Sequence, residues 1–272
     1  MMTETTKKER EIKMDMTYFN TEKTRDNLVQ WIRDWFEKNG PTCKAVIGIS
    51  GGKDSTIVAA LCARALGKDR ILGVLMPNGE QKDISDSIRV CKSLDIPYIT
   101  INIKDYYEGA AELTLEALNE MDSSIKELSE QTKINLAPRL RTATLYAVSQ
   151  TVGGRVVNTS NKSEAMTGYF TRWGDECGDM KPLINLLKNE VVAIGLTMPE
   201  IPRDLVEKAP SDGLTGKTDE DKIGFSYDAL DNYLRGRGNG DDVDVDKKIE
   251  ARIFSTMFKR KPIPAFDPWK GV

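Results

Sequence analysis

Two short stretches concentrate the residues able to do chemistry. The first, Ser50-Gly51-Gly52-Lys53-Asp54-Ser55, sets paired glycines between hydroxyls and adds a cation and a carboxylate. Paired glycines let backbone N–H groups approach an anion, so the stretch suits a phosphate chain. It is not the common nucleotide loop of Gly, four residues, Gly-Lys and Ser or Thr. Gly48 and Gly52 enclose three residues, and Asp54 stands where that loop has its hydroxyl. A carboxylate facing phosphate makes sense when a divalent cation lies between them, which marks Asp54 as a candidate Mg²⁺ ligand. The second stretch, Asn158-Thr159-Ser160-Asn161-Lys162-Ser163-Glu164, reads most plainly as a capping box from Asn161 to Glu164 that opens a helix. The bland reading of the first stretch is a strand-to-helix turn capped by Asp54 or Ser55.

The elements around them have a consistent order. Residues 45–49 are an apolar run that predicts a buried strand, and 57–66 continue as a helix. Residues 70–76 and 97–103 predict two further strands, with a helix from an Asp83 cap to residue 94 between them. Helices are expected over 105–129 and 138–150, then a fourth strand over 156–158. Before all of these, Leu28, Trp31, Ile32, Trp35 and Phe36 have amphipathic helical spacing within 21–38. Strands alternating with helices predict a doubly wound parallel α/β sheet, Rossmann-like, with helices on both flanks. Ligands in such sheets lie beyond the carboxyl ends of the strands, where both stretches fall. Further on, helices are expected at 188–196, 203–208, 227–234 and 247–258, with loops over 209–224 and 236–246. Asp242, Asp244 and Asp246 imitate the start of a calcium loop, but Ile253 takes its twelfth position, and the segment reads as a solvated turn. A polar tail over 1–15 and a single domain over 16–272 are expected.

Composition removes several classes. The chain of 272 residues has no histidine, which excludes Ser-His-Asp triads, Cys-His pairs and His-ligated zinc. Acid–base and electrostatic work falls to Asp, Glu, Lys, Arg, Tyr, Cys or a metal. Cys43, Cys62, Cys91 and Cys177 lack paired spacing and read as reduced thiols, three of them in or near the core. A net charge of −3 argues against a broad nucleic-acid surface. No run reaches a membrane span and the charged start lacks an apolar signal region, so a cytoplasmic protein is expected.

Ser50 to Ser55 resembles the SGGxDS pyrophosphate loop of the N-type ATP pyrophosphatases. The second stretch narrows this. Continued by Gly168-Tyr169-Phe170-Thr171-Arg172-Trp173-Gly174-Asp175, it is similar to the ammonia-dependent NAD synthetases. Arg139, Arg141, Tyr146, Lys188, Pro210-Ser211-Asp212, Asp219-Glu220, Gly224, Ser226-Tyr227-Asp228 and Lys259-Arg260 extend the match over roughly 20–270. The resemblance implies an adenine nucleotide alpha hydrolase-like fold and the Mg²⁺-ATP-dependent amidation of deamido-NAD⁺ by ammonia. The nicotinate carboxylate would be adenylated with release of pyrophosphate, and ammonia would then displace AMP.

The resemblance also implies roles. Gly48, Ile49, Ser50, Gly51, Gly52, Lys53, Asp54, Ser55, Thr159, Lys188 and Ser211 would meet ATP. Asp54 and Glu164 would ligate Mg²⁺. Arg139, Arg172, Asp175 and Lys259 would meet deamido-NAD⁺, with Asp175 near the proton that ammonia loses. A homodimer is implied, and the apolar face of the 21–38 helix is a candidate contributor. Three positions depart from the family pattern: Arg172 stands where Lys is frequent, Ser211 where Thr is, and Phe258 where His is. The first two keep a cation and a hydroxyl, whereas Phe258 cannot hydrogen-bond. Glutamine-dependent members carry an added amidase domain for which the chain has no room, so free ammonia is the expected direct donor unless a separate subunit supplies it. A tRNA sulfur transferase would need a basic surface and a strand-end cysteine, and a regulatory module would not need both proposed metal ligands.

Overall fold

Alternation along the first strand sets the layers. In the computed structural model, which describes residues 19–81, 84–208, 218–240 and 242–269, strand β1 spans Lys44–Gly48. Its Ala45 and Ile47, with Ile49 beyond it, enter one apolar cluster, while Val46 enters another on the opposite face. Strand β2, Ile71–Leu75, repeats the division: Ile71 and Leu75 on the first side, Val74 on the second. A strand buried on both faces belongs to a covered parallel sheet. Strands β3 (Tyr98–Thr100) and β4 (Gly154–Val156) complete it in the order β3-β2-β1-β4, all pairs parallel.

That order explains the location of the two motifs. Helix α1 is Thr21–Asn39, α2 is Lys53–Leu66 and α3 is Ile84–Ser93. Helices α2 and α3 carry the chain outward from β1 to β2 to β3, contributing Ile57, Leu61, Val90 and Cys91 to the first cluster. Helices α4 (Lys104–Met121) and α5 (Glu130–Thr151) return it across the other face, where Ala137 packs with Val46 and Val74, and β4 then joins β1. Winding reverses between β1 and β4, and the residues leaving their carboxyl ends are 49–55 and 157–164. The sheet is doubly wound, as its alternation predicts.

Several boundaries differ from expectation. Helix α5 begins at Glu130, eight residues before Pro138, because Ser129 Oγ caps it by accepting from Thr132 N at 3.2 Å. Pro138 suits a first turn, but here it lies inside the helix, where the missing N–H leaves the Ile134 carbonyl at an exposed position. Helix α4 stops at Met121, where Asp122 Oδ1 accepts from Ser124 N in a turn. Strand β3 is shorter than 97–103, and β4 lies two residues before the expected 156–158. Val157 then bridges to Met180.

Past β4 come α6 (Lys162–Thr167), α7 (Lys188–Leu196), α8 (Arg203–Glu207), α9 (Asp219–Ile223), α10 (Tyr227–Leu234) and α11 (Val243–Ser255). Helix α9 corrects the expected 209–224 loop in its last part: Thr218 and Asp221 form a capping box. Helix α11 starts four residues early, because Asp242 is its cap rather than part of a loose turn. The expected tail 1–15, the Asp83 cap and Ser211 lie outside the described residues.

The apolar face of α1 is also corrected. Ile32 and Phe36 are fully buried in the first cluster and Leu28 and Trp35 pack against it, so most of that face is spent within the chain, while Trp31 stays 44% exposed. The four thiols are free, with Cys62 and Cys91 buried. Burial pushes the Cys62 thiol up to about 12 and that of Cys91 up to about 11. We expect a thiol-reactive disulfide reagent at pH 8 to label Cys43 and Cys177 in the native protein, and Cys62 and Cys91 only after denaturation. Rapid labelling of all four without denaturant would contradict this packing.

Candidate active site

The glycine-rich turn after β1 is held open by its own side chains. Ser50 N donates to Ser55 Oγ at 3.3 Å, Gly52 N to Ser50 Oγ at 3.2 Å, and Ser55 Oγ to Gly52 O at 3.0 Å. Gly51 has φ +79°, and a Cβ there would come within 3.0 Å of Asp86 Cβ and Ser87 N. Only glycine meets both demands. Gly52 caps α2 without a side-chain hydrogen bond, so the first-turn N–H groups of α2 are left for an anion. Burial, and then the neighbouring Lys188 ammonium, lower the pKa of Lys53 in that same turn.

Three charged groups from three helices converge beside this turn. Lys188 Nζ lies 2.7 Å from Asp54 Oδ2 and 2.9 Å from Glu164 Oε1. Its side chain is 5% exposed, against 17% and 18% for its partners. Asp54 stands in the first turn of α2, Glu164 in that of α6 and Lys188 in that of α7. Asn161 ties the first two together: Nδ2 donates to Asp54 Oδ1 at 3.1 Å, Oδ1 accepts from Glu164 N, and N donates to Glu164 Oε2. The predicted capping box therefore exists and aims a carboxylate into the site. Burial opposes the Lys188 charge, but Asp54 and Glu164 outweigh it and hold its pKa well above the ordinary value. Burial also raises Glu164, to about 7, against the pull of Lys188, and Asp54 adds to the rise.

A second group of predicted residues gathers around the 168–175 turn. Arg139 Nε donates to Arg172 O at 3.3 Å, and the Arg172 guanidinium lies 4.7 Å from the Trp173 ring centre. Trp173 has φ +65°, a conformation costly for a non-glycine residue that marks functional turns. Asp175 Oδ1 accepts from Thr171 N at 2.8 Å, so the carboxylate closes the turn, and Asp175 O accepts from Asn158 Nδ2 at 2.8 Å. Lys259 Nζ donates to Gly168 O at 2.6 Å and to Phe170 O, beneath the Phe170 ring. Burial lowers the Lys259 pKa while Asp175 raises it. Phe258 is 60% exposed, and Arg141 Nε donates to Met76 O at the end of β2.

Known proteins bear on this arrangement. The NAD synthase family model matches residues 24–263. The chain belongs to the NAD synthase family. It is 42% identical to the NH(3)-dependent NAD(+) synthetase of Pyrococcus furiosus over 220 residues, which cover 80% of this chain and 79% of that one. To the enzyme of the same name from Finegoldia magna it is 37% identical over 251 residues, 91% and 97% of the two chains. The solved NMN synthetase of Francisella tularensis superposes with a TM-score of 0.79 at 31% identity, covering 92% of this chain and all of that one. The parallel sheet with its flanking helices is the adenine nucleotide alpha hydrolase-like fold of these family members.

Within the family frame, the predicted residues separate into two neighbouring groups. Gly48 to Ser55, Glu164 and Lys188 form one, at the end of β1, and Arg139, Arg172, Asp175 and Lys259 form the other. Thr159 lies on the segment leaving β4, which joins them. Sequence reasoning assigned no role to Asn161 beyond capping, nor any to Tyr227 or Asp231. Tyr227 lies 5.1 Å beneath Lys188 Nζ and its buried hydroxyl has no partner among the described residues. A polar group buried without a partner costs free energy, so such a hydroxyl is a signal for a site.

The two carboxylates meet one cation, and without it they would face each other unpaired. We expect Lys188→Met to lower the stability of the metal-free protein by about 3 kcal/mol, the scale for breaking a buried pair from one side. Added Mg²⁺ should restore part of that loss in denaturant titrations. An unchanged midpoint in the variant would show that Lys188 does not balance the pair.

Proposed function

We propose that this chain forms NAD⁺ from deamido-NAD⁺ and ammonia at the expense of ATP, releasing AMP and pyrophosphate. The observation that carries the reading is the convergence of Asp54, Glu164 and Lys188 beside an open glycine-rich turn, in a chain of the NAD synthase family.

In this reading the 50–55 turn and the first turn of α2 receive the β- and γ-phosphates, with Lys53 and Lys188 opposing their charge. Pyrophosphate leaves from there as the nicotinate carboxylate takes the AMP moiety. Stabilising charge on phosphoryl oxygens is the largest demand of such a step, and it needs donors and cations rather than a histidine base. Thr159 and Ser211 are assigned to the same nucleotide. Arg139, Arg172 and Lys259 hold the acceptor around the 168–175 turn. Asp175 is assigned the proton lost by the attacking ammonia.

Mg²⁺ belongs to the proposal as well. Asp54 and Glu164 already direct hard carboxylate oxygens at one cationic atom, so the donor set fits a small divalent ion. No group of three or more His, Cys, Asp or Glu able to hold a metal ion occurs among the described residues, and Asp54 and Glu164 would hold Mg²⁺ together with phosphate oxygens and water, as Mg²⁺ prefers. When bound, Mg²⁺ neutralises charge on the polyphosphate.

A shorter acceptor is the second reading. The likeness to the Francisella NMN synthetase favours nicotinate mononucleotide, the acid corresponding to its named product. We expect MgATP, ammonium and deamido-NAD⁺ to yield NAD⁺, AMP and pyrophosphate, with nicotinate mononucleotide as the competing substrate in a parallel assay. A higher kcat/KM for the mononucleotide would select the second reading, and release of ADP and phosphate would remove both. Asp54→Ala should lower kcat by at least ~10²-fold.

A homodimer completes the reading, and its surface is sought on α4 and α5. Helix α4 has no buried residue, and Tyr106, Leu113, Met121 and Ile134 are all more than half exposed. An apolar groove of about 380 Å³ lies alongside, between Ile99, Ile101, Tyr106 and Val148. Exposed apolar side chains on two packed helices beside such a groove suit an association surface. Light scattering should give a dimer for the native chain and a monomer for a Leu113→Asp, Ile134→Asp variant; a native monomer would remove this part. A cytoplasmic location is included, in keeping with four free thiols. Among the described residues no helix is long and apolar enough to cross a membrane.

A further inference from the structure

Lys188 can join two carboxylates only if the first turn of α7 is fixed, because a lysine side chain has four rotatable bonds. The residue before it, Leu187, offers no capping oxygen. The first-turn donors of α7 are instead satisfied from other elements. Lys188 N donates to Ser163 Oγ at 3.0 Å, and Asn189 N donates to Asp231 Oδ2 at 2.9 Å. The Ser163 hydroxyl in turn donates to the other oxygen, Asp231 Oδ1, at 2.6 Å. Ser163 and Asp231 are both fully buried. One carboxylate on α10 thus grips the start of α7 directly and, through a hydroxyl next to Glu164, the start of α6.

The rest of that face of α10 works in the same place. Tyr227, four residues before Asp231, lies under the Lys188 ammonium. Asp228 Oδ1 accepts from Asn189 Nδ2 at 2.8 Å. Arg235, four residues after Asp231, donates to Glu190 Oε1 at 3.1 Å, and Glu190 Oε2 accepts from Leu187 N at 2.8 Å. A carboxylate at a helix N-terminus satisfies open N–H groups and is favoured by the helix dipole. Few fully buried carboxylates survive unless they are hydrogen-bonded, and among the described residues this one is bonded only to the Asn189 backbone N–H and the Ser163 hydroxyl, at the starts of α7 and α6.

We propose that Asp231 is a positioning residue, acting through Ser163 and the first turn of α7 to hold Lys188 where it meets the phosphates of ATP. The proposal rests on the reading above in which Lys188 serves the nucleotide. Asp231→Asn replaces one acceptor oxygen by an amide NH₂ that confronts either the Ser163 hydroxyl or the Asn189 N–H. Ser163→Ala removes the bridge and leaves Asp231 on Asn189, while Ser163→Thr restores a hydroxyl. Leu230→Ala serves as the control, since it loosens α10 from its apolar cluster without touching the network.

The test is calorimetric binding of MgATP to each variant, with melting temperatures and the KM values for ATP and ammonium alongside. Asp231→Asn and Ser163→Ala should weaken MgATP about 10- to 100-fold, the scale for removing a group that orients a ligating side chain. The KM for ATP should follow while that for ammonium stays near the wild-type value. Ser163→Thr should recover most of the loss. Leu230→Ala, at a comparable fall in melting temperature, should leave MgATP affinity unchanged. Wild-type affinity in Asp231→Asn, or equal weakening in Leu230→Ala, would overturn the proposal. Should Asp231→Asn fail to fold, the Ser163→Ala and Ser163→Thr pair decides: weakening without recovery overturns it too. A wild-type protein that binds MgATP yet amidates neither nicotinate substrate would sink the proposed reaction and leave this comparison able to stand or fall by itself.

Discussion

The one arrangement on which the rest depends is a nearly buried ammonium shared by two carboxylates at the reversal point of the sheet. Desolvating three charges is costly, and an unequal set costs more than a balanced one. Here one positive group faces two negative ones: burial above all, and then Asp54, raises Glu164 to about 7 against the pull of Lys188, while the two carboxylates hold Lys188 firmly protonated. Such a cluster is poised for a second cation, and an adjacent turn of open N–H groups is poised for the anion that would bring it. Charge imbalance and phosphate cradle are complementary features of one site.

The sheet supplies the rigidity that such a cluster needs. Asp54 follows β1 by six residues and Glu164 follows β4 by eight, so both are carried on the first turns of helices anchored to neighbouring strands. Lys188 has no strand beneath it. Helix α7 packs on α1, α2 and α8, with Val191 and Ile194 in the first cluster, and its start is fixed by contacts from α10. Each charge is therefore tied down by a different device, and the cluster forms only when the central fold and the C-terminal helices are both in place.

Legibility followed the range of the physical cause. Local causes were readable: the glycine pair, the Asn161–Glu164 capping box, and the alternation along β1 and β2 lie within a few residues of their effects. The fold class could be argued from the alternation, and the family from the resemblance that the two stretches carry. The missed features depend on partners far along the chain. Nothing around Asp231 announces that its carboxylate reaches Ser163, 68 residues earlier, or Asn189, 42 residues earlier. The helix expected from residue 138 misses its true start, because the Ser129 cap lies nine residues before Pro138. The α1 stripe showed that a face would be covered, and periodicity alone does not distinguish core from partner.

The C-terminal segment shows why a matched motif residue is not yet a binding residue. Helix α6 is only six residues long and ends at Gly168 in the left-handed conformation, leaving carbonyls that an N-terminal capping box cannot serve. Three cations satisfy them. Arg252 Nε donates to Thr167 O, Arg260 Nη1 to Ala165 O and Met166 O, and Lys259 Nζ to Gly168 O and Phe170 O. Lys259 is thus occupied by the backbone of the very turn that carries Arg172 and Asp175. For its ammonium to meet an acceptor it must keep both carbonyls and turn its third N–H outward, or give one up in exchange for an anion. On the proposed reading the acceptor would meet Lys259 through the geometry of the 168–175 turn, and the exposed Phe258 next to it has no side-chain donor or acceptor.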